Sequence, residues 1–317
     1  MDKVIAIIGP TAVGKTALSF ALAQYFHTDL VSGDAYQIYR RMNIGTAKPS
    51  LEELRRYKHY LIDVAEPNEP YSAALFCHMA EQAVQAIHQE GKLPILVGGT
   101  GLYVQALLEG FQFDGSKVSE ALRQQARHRI ASFSDGELQD YIKKNTSWQP
   151  PDWHELFANT HRLVRLMAAI EQGEGYDFVR AGKAPRFAYD AFVVGLTLPR
   201  EILYERIERR VDSMLQSGWI EEVQGLLDSG VSRECQAMQA IGYGEIAAYL
   251  DGNSTLQEAA CKIKIRTRRF AKRQISWYKR MPYIHWFEKN RYASEDALAA
   301  AVIRQLPWQQ EGVHSGL

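Results

Sequence analysis

Chemistry is most evident near the start of this chain, where one run fits the phosphate-binding pattern G-x-x-x-x-G-K-[ST] without a mismatch: Gly9, Pro10, Thr11, Ala12, Val13, Gly14, Lys15 and Thr16. In this pattern the glycines let backbone N–H groups turn inward around an anion, and the helix that follows adds partial positive charge. Lys15 adds a full charge, and Thr16 offers a hydroxyl to Mg²⁺. The run predicts a site for a phosphate compound. ATP is the usual occupant, but a diphosphate on another carrier would fit the same cradle.

A carboxylate is expected beside this loop. Asp34 follows the short strand-like run 29–32, and ligands of an open α/β sheet bind at the carboxyl ends of its strands. Asp34 is therefore a candidate for acid–base chemistry, although an aspartate after a strand also serves as a turn or capping residue. The acidic strand of a conventional ATPase is not evident, since the run that ends at Thr100 carries no acid. Asp63 is the alternative.

A basic segment near the end of the chain is the third functional feature. Residues 262–280 contain nine lysines and arginines and no acid, in a chain whose formal net charge is zero. Helical spacing brings four cations to one face, namely Lys262, Arg266, Arg269 and Arg273. The adjacent stripe is expected to pack on the protein body: Ile263, Thr267, Phe270, Gln274 and Trp277. The absence of acids favours contact with a nucleic-acid backbone over a merely solvated face.

The elements that must position these residues begin with strand-like apolar runs that alternate with amphipathic helices. Strands are predicted at residues 4–8, 29–32, 60–64 and 93–97, with helices at Lys15–Phe26 and Ala73–Gln89. This alternation is typical of a parallel sheet with helices on both faces.

A long helical stretch interrupts that pattern. Helical patterns occupy residues 120–171, where Asn159 is predicted to cap a helix over residues 160–172. A strand resumes at residues 192–198, and helices punctuated by glycines follow to residue 278. We therefore predict an α/β fold: a P-loop-type parallel sheet flanked by helices, formed by residues 1–113 and 187–317, with an all-helical insertion domain at residues 114–186.

Composition is that of an ordinary globular protein, with 46% hydrophobic and 23% charged residues. Cys77, Cys235 and Cys261 lie far apart and form no C-x-x-C pair, so neither a disulfide scaffold nor a zinc cluster is indicated. The first apolar run is too short for a signal peptide, and no run approaches the roughly 20 apolar residues of a membrane span. We expect a cytoplasmic monomer without a membrane partner.

Six further motifs follow one another along the chain: residues 32–39 (SGDAYQIY), 43–49 (NIGTAKP), 97–103 (VGGTGLY), 161–165 (HRLVR), 240–243 (AIGY) and 268–277 (RRFAKRQISW). Together with the phosphate loop they resemble the tRNA dimethylallyltransferase (tRNA isopentenyltransferase) family. The likeness spans about residues 4–290, and its IGTAKP run is highly specific. Because this sequence shows no zinc-finger pattern like that of eukaryotic members, we expect it to be of the bacterial type.

The resemblance implies a reaction, the transfer of a dimethylallyl group from dimethylallyl diphosphate to N6 of the adenosine 3′ of the anticodon in tRNA, with release of diphosphate. It implies that the phosphate loop holds this diphosphate rather than ATP, with Mg²⁺ as cofactor at Thr16. Asp34 would be the general base, and Arg210 would hold the leaving group beside Lys15. Thr100 would contact the tRNA or the donor.

The resemblance also implies a tRNA-binding surface. The implied contacts are Asp34, Ala35, Tyr36, Gln37, Thr100, Arg123, His161, Arg162, Leu163, Val164, Arg165, Gln239, Ala240, Ile241, Gly242, Tyr243 and Gly244, to which the basic segment adds Arg269 and Arg273. The helical insertion corresponds to the family's domain for the anticodon arm. The chain departs from the family pattern at Gly33, where a bulkier residue is frequent, and at Gly244, where a charged one is common.

Three other functions remain open at this point. A small-molecule or nucleotide kinase would use the same loop, and its basic segment would be incidental. A prenyltransferase acting on free AMP, ADP or ATP would need neither the insertion nor the basic segment. A non-catalytic RNA-binding protein with a relic loop would not need intact Lys15, Thr16 and Asp34.

Overall fold

A parallel sheet forms the frame of the larger part of this protein. The computed structural model describes residues 1–111, 120–150, 152–173 and 187–310, and for residues 120, 161, 309 and 310 it describes the backbone alone. The strands are β1 (Lys3–Ile8), β2 (Leu30–Ser32), β3 (His59–Tyr60), β4 (Ile95–Val97), β5 (Asp190–Thr197) and β6 (Ile284–Glu288). All pair in parallel, in the order β3-β2-β4-β1-β5-β6. The predicted α/β class is confirmed.

Helices occupy most of the remaining described residues. In chain order they are α1 (Lys15–Phe26), α2 (Leu51–Arg56), α3 (Ala73–Gln89), α4 (Gly101–Leu108), α5 (Glu120–Ala131), α6 (Asp135–Asn145), α7 (Trp153–Ala158), α8 (Thr160–Glu171), α9 (Arg200–Gln216), α10 (Trp219–Asp228), α11 (Tyr243–Leu250), α12 (Leu256–Tyr278), α13 (Glu295–Arg304) and α14 (Pro307–Gln310). The chain divides into two compact units, Met1–Glu109 with Phe187–Leu317, and Gly110–Arg186.

The central strand β1 explains why the sheet is stable. It pairs with β4 on one side and β5 on the other, and its residues 4–8 are fully buried, as expected of a strand covered by helices on both faces. Helix α1 buries Leu18 and Leu22 in the same core. It begins after Gly14, whose φ of 109° suits glycine, and ends at Phe26. The N–H of the next residue, His27, bonds to the carbonyl of Ala23. The bounds of α1 and α3 match their prediction.

Three neighbouring strands, β2, β4 and β1, end at one edge of the sheet, and this edge determines where ligands can bind. The N–H of Gly33 donates to the carbonyl of Val97 (2.8 Å), and that of Thr100 donates to the carbonyl of Gly33 (3.3 Å). A Cβ on Gly98 would lie 2.6 Å from the Cα of Gly33, so this close approach requires glycine. The loops that carry the candidate residues are therefore held together by backbone contacts.

The helical unit Gly110–Arg186 has a core of its own. It is lined by Ala126, Leu138, Ile142, Leu156, Leu163, Val164, Leu166, Met167 and Ala168. Asn159 caps α8 as predicted, because its side chain accepts from the N–H of Arg162 at 3.1 Å. In the described parts of both units, no helix combines the length and the apolar character that a membrane crossing needs.

Two sequence predictions about strands need correction. The prediction of a strand at residues 60–64 is wrong, because β3 ends at Tyr60. Leu61 and Asp63 have φ angles of 64° and 56°, which an extended strand does not accommodate. Strand β6 was not predicted at all, although it extends the sheet beside β5 over residues 193–197.

Candidate active site

The phosphate loop joins the end of β1 to the start of α1. Gly9 has a φ of 145°, and a Cβ there would lie 2.7 Å from the carbonyl oxygen of Leu196. The Lys15 Nζ donates to the carbonyls of Gly9 (3.0 Å) and Pro10 (2.9 Å), so its ammonium lies beneath the loop. An ammonium group has three donors. One N–H of Lys15 therefore remains for a ligand held by the loop.

Positive charge is concentrated around this loop. Burial and, to a smaller extent, the nearby Arg210 lower the pKa of Lys15 to about 8, although Asp34 opposes both effects. Burial likewise lowers the pKa of Arg210, which projects from α9, while Asp34 raises it. An anion that entered here would offset the repulsion between the two cations, which is the electrostatic signature of an anion site.

Asp34 lies at the turn after β2 and has two roles open to it. Its Oδ1 accepts from the N–H groups of Tyr36 (2.9 Å) and Gln37 (3.3 Å), which is the arrangement of a turn-capping aspartate. Its other carboxylate oxygen has no bond to a protein donor among the described residues. The hydroxyl of Thr100 accepts from the N–H of Ala35 at 3.0 Å and so ties the same turn to the loop after β4.

Two adjoining cavities meet at these residues. The phosphate-side cavity, of about 850 Å³, is lined by Gly14, Lys15, Thr16, Arg206, Arg209 and Arg210 among others. The apolar cavity, of about 590 Å³, is walled by Leu102, Ile207, Val211, Met214, Phe270 and Trp277 among others. Thr11, Asp34, Gly99 and Arg210 line both. One continuous space therefore offers cations at one end and apolar and aromatic surface at the other, with Asp34 between them.

The IGTAKP loop forms one wall of this space, and a carboxylate from α10 shapes it. Glu222 accepts from the N–H groups of Asn43 (2.7 Å), Ile44 (2.7 Å) and Gly45 (3.1 Å). It also accepts from the hydroxyl of Tyr243 at 2.7 Å, and burial, with Glu222 adding to it, raises the pKa of that hydroxyl far above its ordinary value. Glu222 thus acts as an internal anion for three consecutive N–H groups.

The second lysine of this region, Lys48, is used internally. Its Nζ donates to the carbonyl of Tyr39 (2.8 Å), to Asn43 (2.9 Å) and to Asp63 (2.6 Å), and its side chain is only 2% exposed. Asp63 was the alternative acid for an ATPase-type metal site. It is instead paired with Lys48, and it lines neither the phosphate-side nor the apolar cavity.

The basic helix α12 divides its cations into two groups. Three of them are paired with acids: Lys264 with Asp212 (2.6 Å) and Arg268 with Glu208 (2.7 Å), both on α9, and Arg266 with Glu245 on α11. Arg269 and Arg273 are exposed and make no ion pair within the described part of the chain. The stripe that we expected to pack on the body does so at Ile263, but Thr267, Phe270, Gln274 and Trp277 line the apolar cavity.

The remaining predicted tRNA contacts fall into open and buried positions. Ala35, Tyr36, Gln239, Ala240 and Ile241 line the apolar cavity, and Gln37 lines the phosphate-side cavity. Leu163 and Val164 are each 4% exposed in the core of the helical unit, and Tyr243 is fully buried, so their side chains pack internally. Gly242 is buried, whereas Gly244 and Arg165 are exposed. Arg123 and Arg162 lie on α5 and α8; the side chain of His161 lies outside the described residues.

Sequence reasoning missed Glu222, Arg206 and the hydrogen bonds of Gln274. Arg206 had a usable signal, since it stands one helical turn before Arg210 on the same face. Glu222 and Gln274 carried no local signal, because the loop residues that they bind are 175 to 263 residues away in the sequence.

Comparisons with known proteins agree with the resemblance seen in the sequence motifs. Residues 37–281 match the family described as IPP transferase. A tRNA dimethylallyltransferase from Halalkalibacterium halodurans is 40% identical over 289 residues, which is 90% of this chain and 91% of that protein. The full-length tRNA isopentenylpyrophosphate transferase of Bacillus halodurans superposes with a TM-score of 0.71 at 36% identity, over 99% of this chain and 100% of that one. A eukaryotic dimethylallyltransferase acting on tRNA gives 0.79 at 26% identity, over 98% and 80%.

Proposed function

This chain belongs to the tRNA dimethylallyltransferase family, also described as IPP transferases, and from that premise we propose its reaction. It transfers the dimethylallyl group of dimethylallyl diphosphate to N6 of the adenosine 3′ of the anticodon in tRNA, and it releases diphosphate. The observation that carries the proposal is that Asp34 stands between a cationic and an apolar end of one continuous space. A prenyl diphosphate has matching parts, an anionic diphosphate for the cationic end and an apolar prenyl chain for the apolar end.

The phosphate loop and two side chains bind the diphosphate of the donor. Backbone N–H groups at the start of α1 and the charge of Lys15 face the phosphates, and Arg210 approaches from α9. As the allylic C–O bond breaks, negative charge grows on the departing diphosphate. Fixed cations in a partly buried site stabilise that charge more strongly in the transition state than in the bound donor.

A magnesium ion fits this site without a dedicated cage. Thr16 and Asp34 line a small cavity of about 40 Å³ beside the loop. The described residues contain no cluster of three acidic, histidine or cysteine ligands, and Mg²⁺ in phosphate sites relies on one or two protein oxygens with phosphate and water supplying the rest. Thr16 would hold the ion, which when bound neutralises charge on the diphosphate.

Asp34 acts on the acceptor. The N6 amine of adenine is a weak nucleophile, because its lone pair is delocalised into the ring. The carboxylate oxygen of Asp34 that caps no turn takes a proton from this amine as the new C–N bond forms. A positioned base of this kind contributes about 10²–10⁴-fold to the rate.

The tRNA is held by positive charge on α12 and, we propose, by the helical unit Gly110–Arg186, which grips the anticodon arm. Exposed Arg269 and Arg273 support backbone contacts, and Arg123, Arg162 and Arg165 supply charge on the helical unit. Phe270 and Trp277 offer aromatic surface in the apolar cavity, where the target base must be held out of its stack.

The test uses the full-length protein with unmodified tRNA, Mg²⁺ and either dimethylallyl diphosphate or ATP, followed by digestion and mass spectrometry of the nucleosides. Prenylated adenosine should form with dimethylallyl diphosphate and without any need for ATP, and an anticodon stem-loop should replace the full tRNA. ATP-dependent phosphorylation of a small molecule, or equal activity on free AMP, would contradict the proposal.

A further inference from the structure

Gln274 is a buried polar side chain to which the reaction above assigns no role. It lies on α12 and is 5% exposed. Its Oε1 accepts from the N–H of Thr11 in the phosphate loop at 2.9 Å, and its Nε2 donates to the carbonyl of Gly99 at 2.7 Å. One side chain therefore joins the basic helix to both loops that meet at the carboxyl edge of the sheet.

The bond to Thr11 affects the shape of the anion site. In a loop of this type the backbone N–H groups are the ligands of the phosphate, and their directions depend on the loop conformation. The N–H of Thr11 points to Gln274 and is unavailable to the donor. The orientation of the neighbouring residues Ala12 and Val13 therefore depends on a side chain from a helix 263 residues away in the sequence.

The bond to Gly99 leads toward the proton acceptor. A Cβ on Gly99 would lie 2.6 Å from Nε2 of Gln274, so only glycine admits this amide. The next residue, Thr100, accepts from the N–H of Ala35, which directly follows Asp34. An unbroken series of contacts thus runs from the loop that holds the leaving group to the turn that holds the base.

We propose that Gln274 is a positioning residue for prenyl transfer, which keeps the diphosphate loop and the Asp34 turn in one fixed geometry. The inference rests on the proposed function, because it assumes that both loops act on the same pair of substrates. Misplacement of reacting groups by about 1 Å can cost about 10²-fold in rate. Loss of the two bonds should therefore appear mainly in the chemical step.

The first experiment compares Gln274→Met with Gln105→Met in the full-length enzyme. Gln105 lies on α4 outside both cavities and loses one hydrogen bond, to Glu109, by the same change. Gln274→Met should lower kcat by about 10- to 100-fold with the KM for tRNA unchanged, and Gln105→Met should stay near wild type. Equal kcat values for the two variants would overturn the inference.

The second experiment uses Gln274→Glu, which keeps the shape of the side chain. A protonated carboxyl can accept from Thr11 and donate to Gly99, whereas an ionised one repels the Gly99 carbonyl. The ratio of the variant's kcat to that of wild type should therefore rise as pH falls, at a temperature where both proteins remain fully folded across the pH range, so that a change in stability cannot account for the response. A ratio independent of pH would contradict the inference. Absence of any prenylated nucleoside with the wild-type enzyme would instead overturn the proposed function and this inference with it.

Discussion

Two loops beside the cavities present backbone N–H groups. In one of them a carboxylate of the protein accepts from these groups, and in the other no protein carboxylate does so among the described residues. In the loop at residues 43–45, the Glu222 carboxylate accepts from all three N–H groups. The phosphate loop leads into α1 with no side chain capping that helix, and Lys15 and Arg210 add charge with no ion pair of their own among the described residues. The first loop is satisfied by the protein. In the second, Thr11 and Val13 donate to neutral protein oxygens, and no protein anion occupies the loop among the described residues, so it is left for an anionic ligand.

The same contrast separates the two buried lysines. Lys48 donates to three protein acceptors and holds the IGTAKP loop in shape. Lys15 donates to two backbone carbonyls, and no carboxylate of the described residues is bound to it. Groups that are satisfied internally should therefore matter for stability, and groups left unsatisfied should matter for catalysis.

The largest effect is expected at Asp34, the carboxylate between the two cavities. Asp34→Asn should lower the single-turnover rate at saturating tRNA by about 10²–10⁴-fold, because the amide cannot take a proton. The variant keeps an oxygen for the N–H groups of Tyr36 and Gln37, so its melting temperature should stay close to wild type. Asp34→Ala should lose the rate and also about 1 kcal/mol of unfolding free energy, by analogy with lost caps. A wild-type rate in Asp34→Asn would reduce Asp34 to a turn residue.

The next largest effect is expected at Lys15, the buried lysine with no carboxylate partner among the described residues. Lys15→Ala should lower kcat/KM by about 10²–10³-fold, because a charge aimed at the leaving diphosphate is lost. Its unfolding free energy should not fall, since burial disfavours the charged form of this side chain. Lys48→Ala is the matched contrast and should lose about 1–3 kcal/mol of unfolding free energy through unpaired buried groups. Steady-state kinetics and chemical denaturation measure the two effects. A loss of stability in the Lys15 variant, with a loss of kcat/KM alone in the Lys48 variant, would refute the comparison.

The lowered pKa of Lys15, to about 8, predicts a pH dependence. Because the ordinary value is 10.5, the unfolded chain holds this proton between pH 8 and 10.5 when the folded chain has lost it, so the group's contribution to stability rises with pH over that window. Donor affinity should run in the opposite direction. It should fall by up to about tenfold per pH unit above pH 8 as the charge is lost. Calorimetric titration with dimethylallyl diphosphate checks this, and Lys15→Arg should show a flatter profile.

A smaller effect is expected at Glu222, the carboxylate that binds the loop at residues 43–45. Glu222→Gln leaves one acceptor oxygen for four donors and should cost about 1–3 kcal/mol of unfolding free energy. Tyr243→Phe removes only one of the four bonds and should cost about 0.5–1.5 kcal/mol. Thermal unfolding measures both. A larger loss in Tyr243→Phe than in Glu222→Gln would show that the carboxylate does not organise the loop.

The smallest effect extends the comparison to the cations of α12. Arg269→Ala with Arg273→Ala should weaken tRNA binding and reduce the slope of log K against log salt by about 2, one for each lost phosphate contact. Lys264→Ala with Arg268→Ala removes the same charge from residues that are already paired with acids, and the slope should change less. Equal slopes for the two double variants would argue against separate roles for the paired and unpaired cations.

The sequence alone was informative wherever the deciding contacts are local. Helices α1 and α3 were predicted with their observed bounds. The start of α1 follows from the phosphate-loop motif, and α3 has amphipathic periodicity and begins after Ser72, whose side chain caps it. Residues 60–64 were misread as a strand, since an apolar run does not reveal the positive φ angles of Leu61 and Asp63. Strand β6 escaped prediction because a five-residue strand at the sheet edge gives only a weak periodic signal.

The candidate site divides in the same way. The phosphate loop was predictable because eight consecutive residues supply its glycines, its cation and its helix start. Whether Asp63 could be the acid of an ATPase-type site was decided only by the folded chain, in which Asp63 pairs with Lys48. Glu222 and Gln274 acquire their roles from partners more than a hundred residues away. A polar side chain gains its function from the groups that packing brings within hydrogen-bond reach, and only the tertiary structure determines which groups those are.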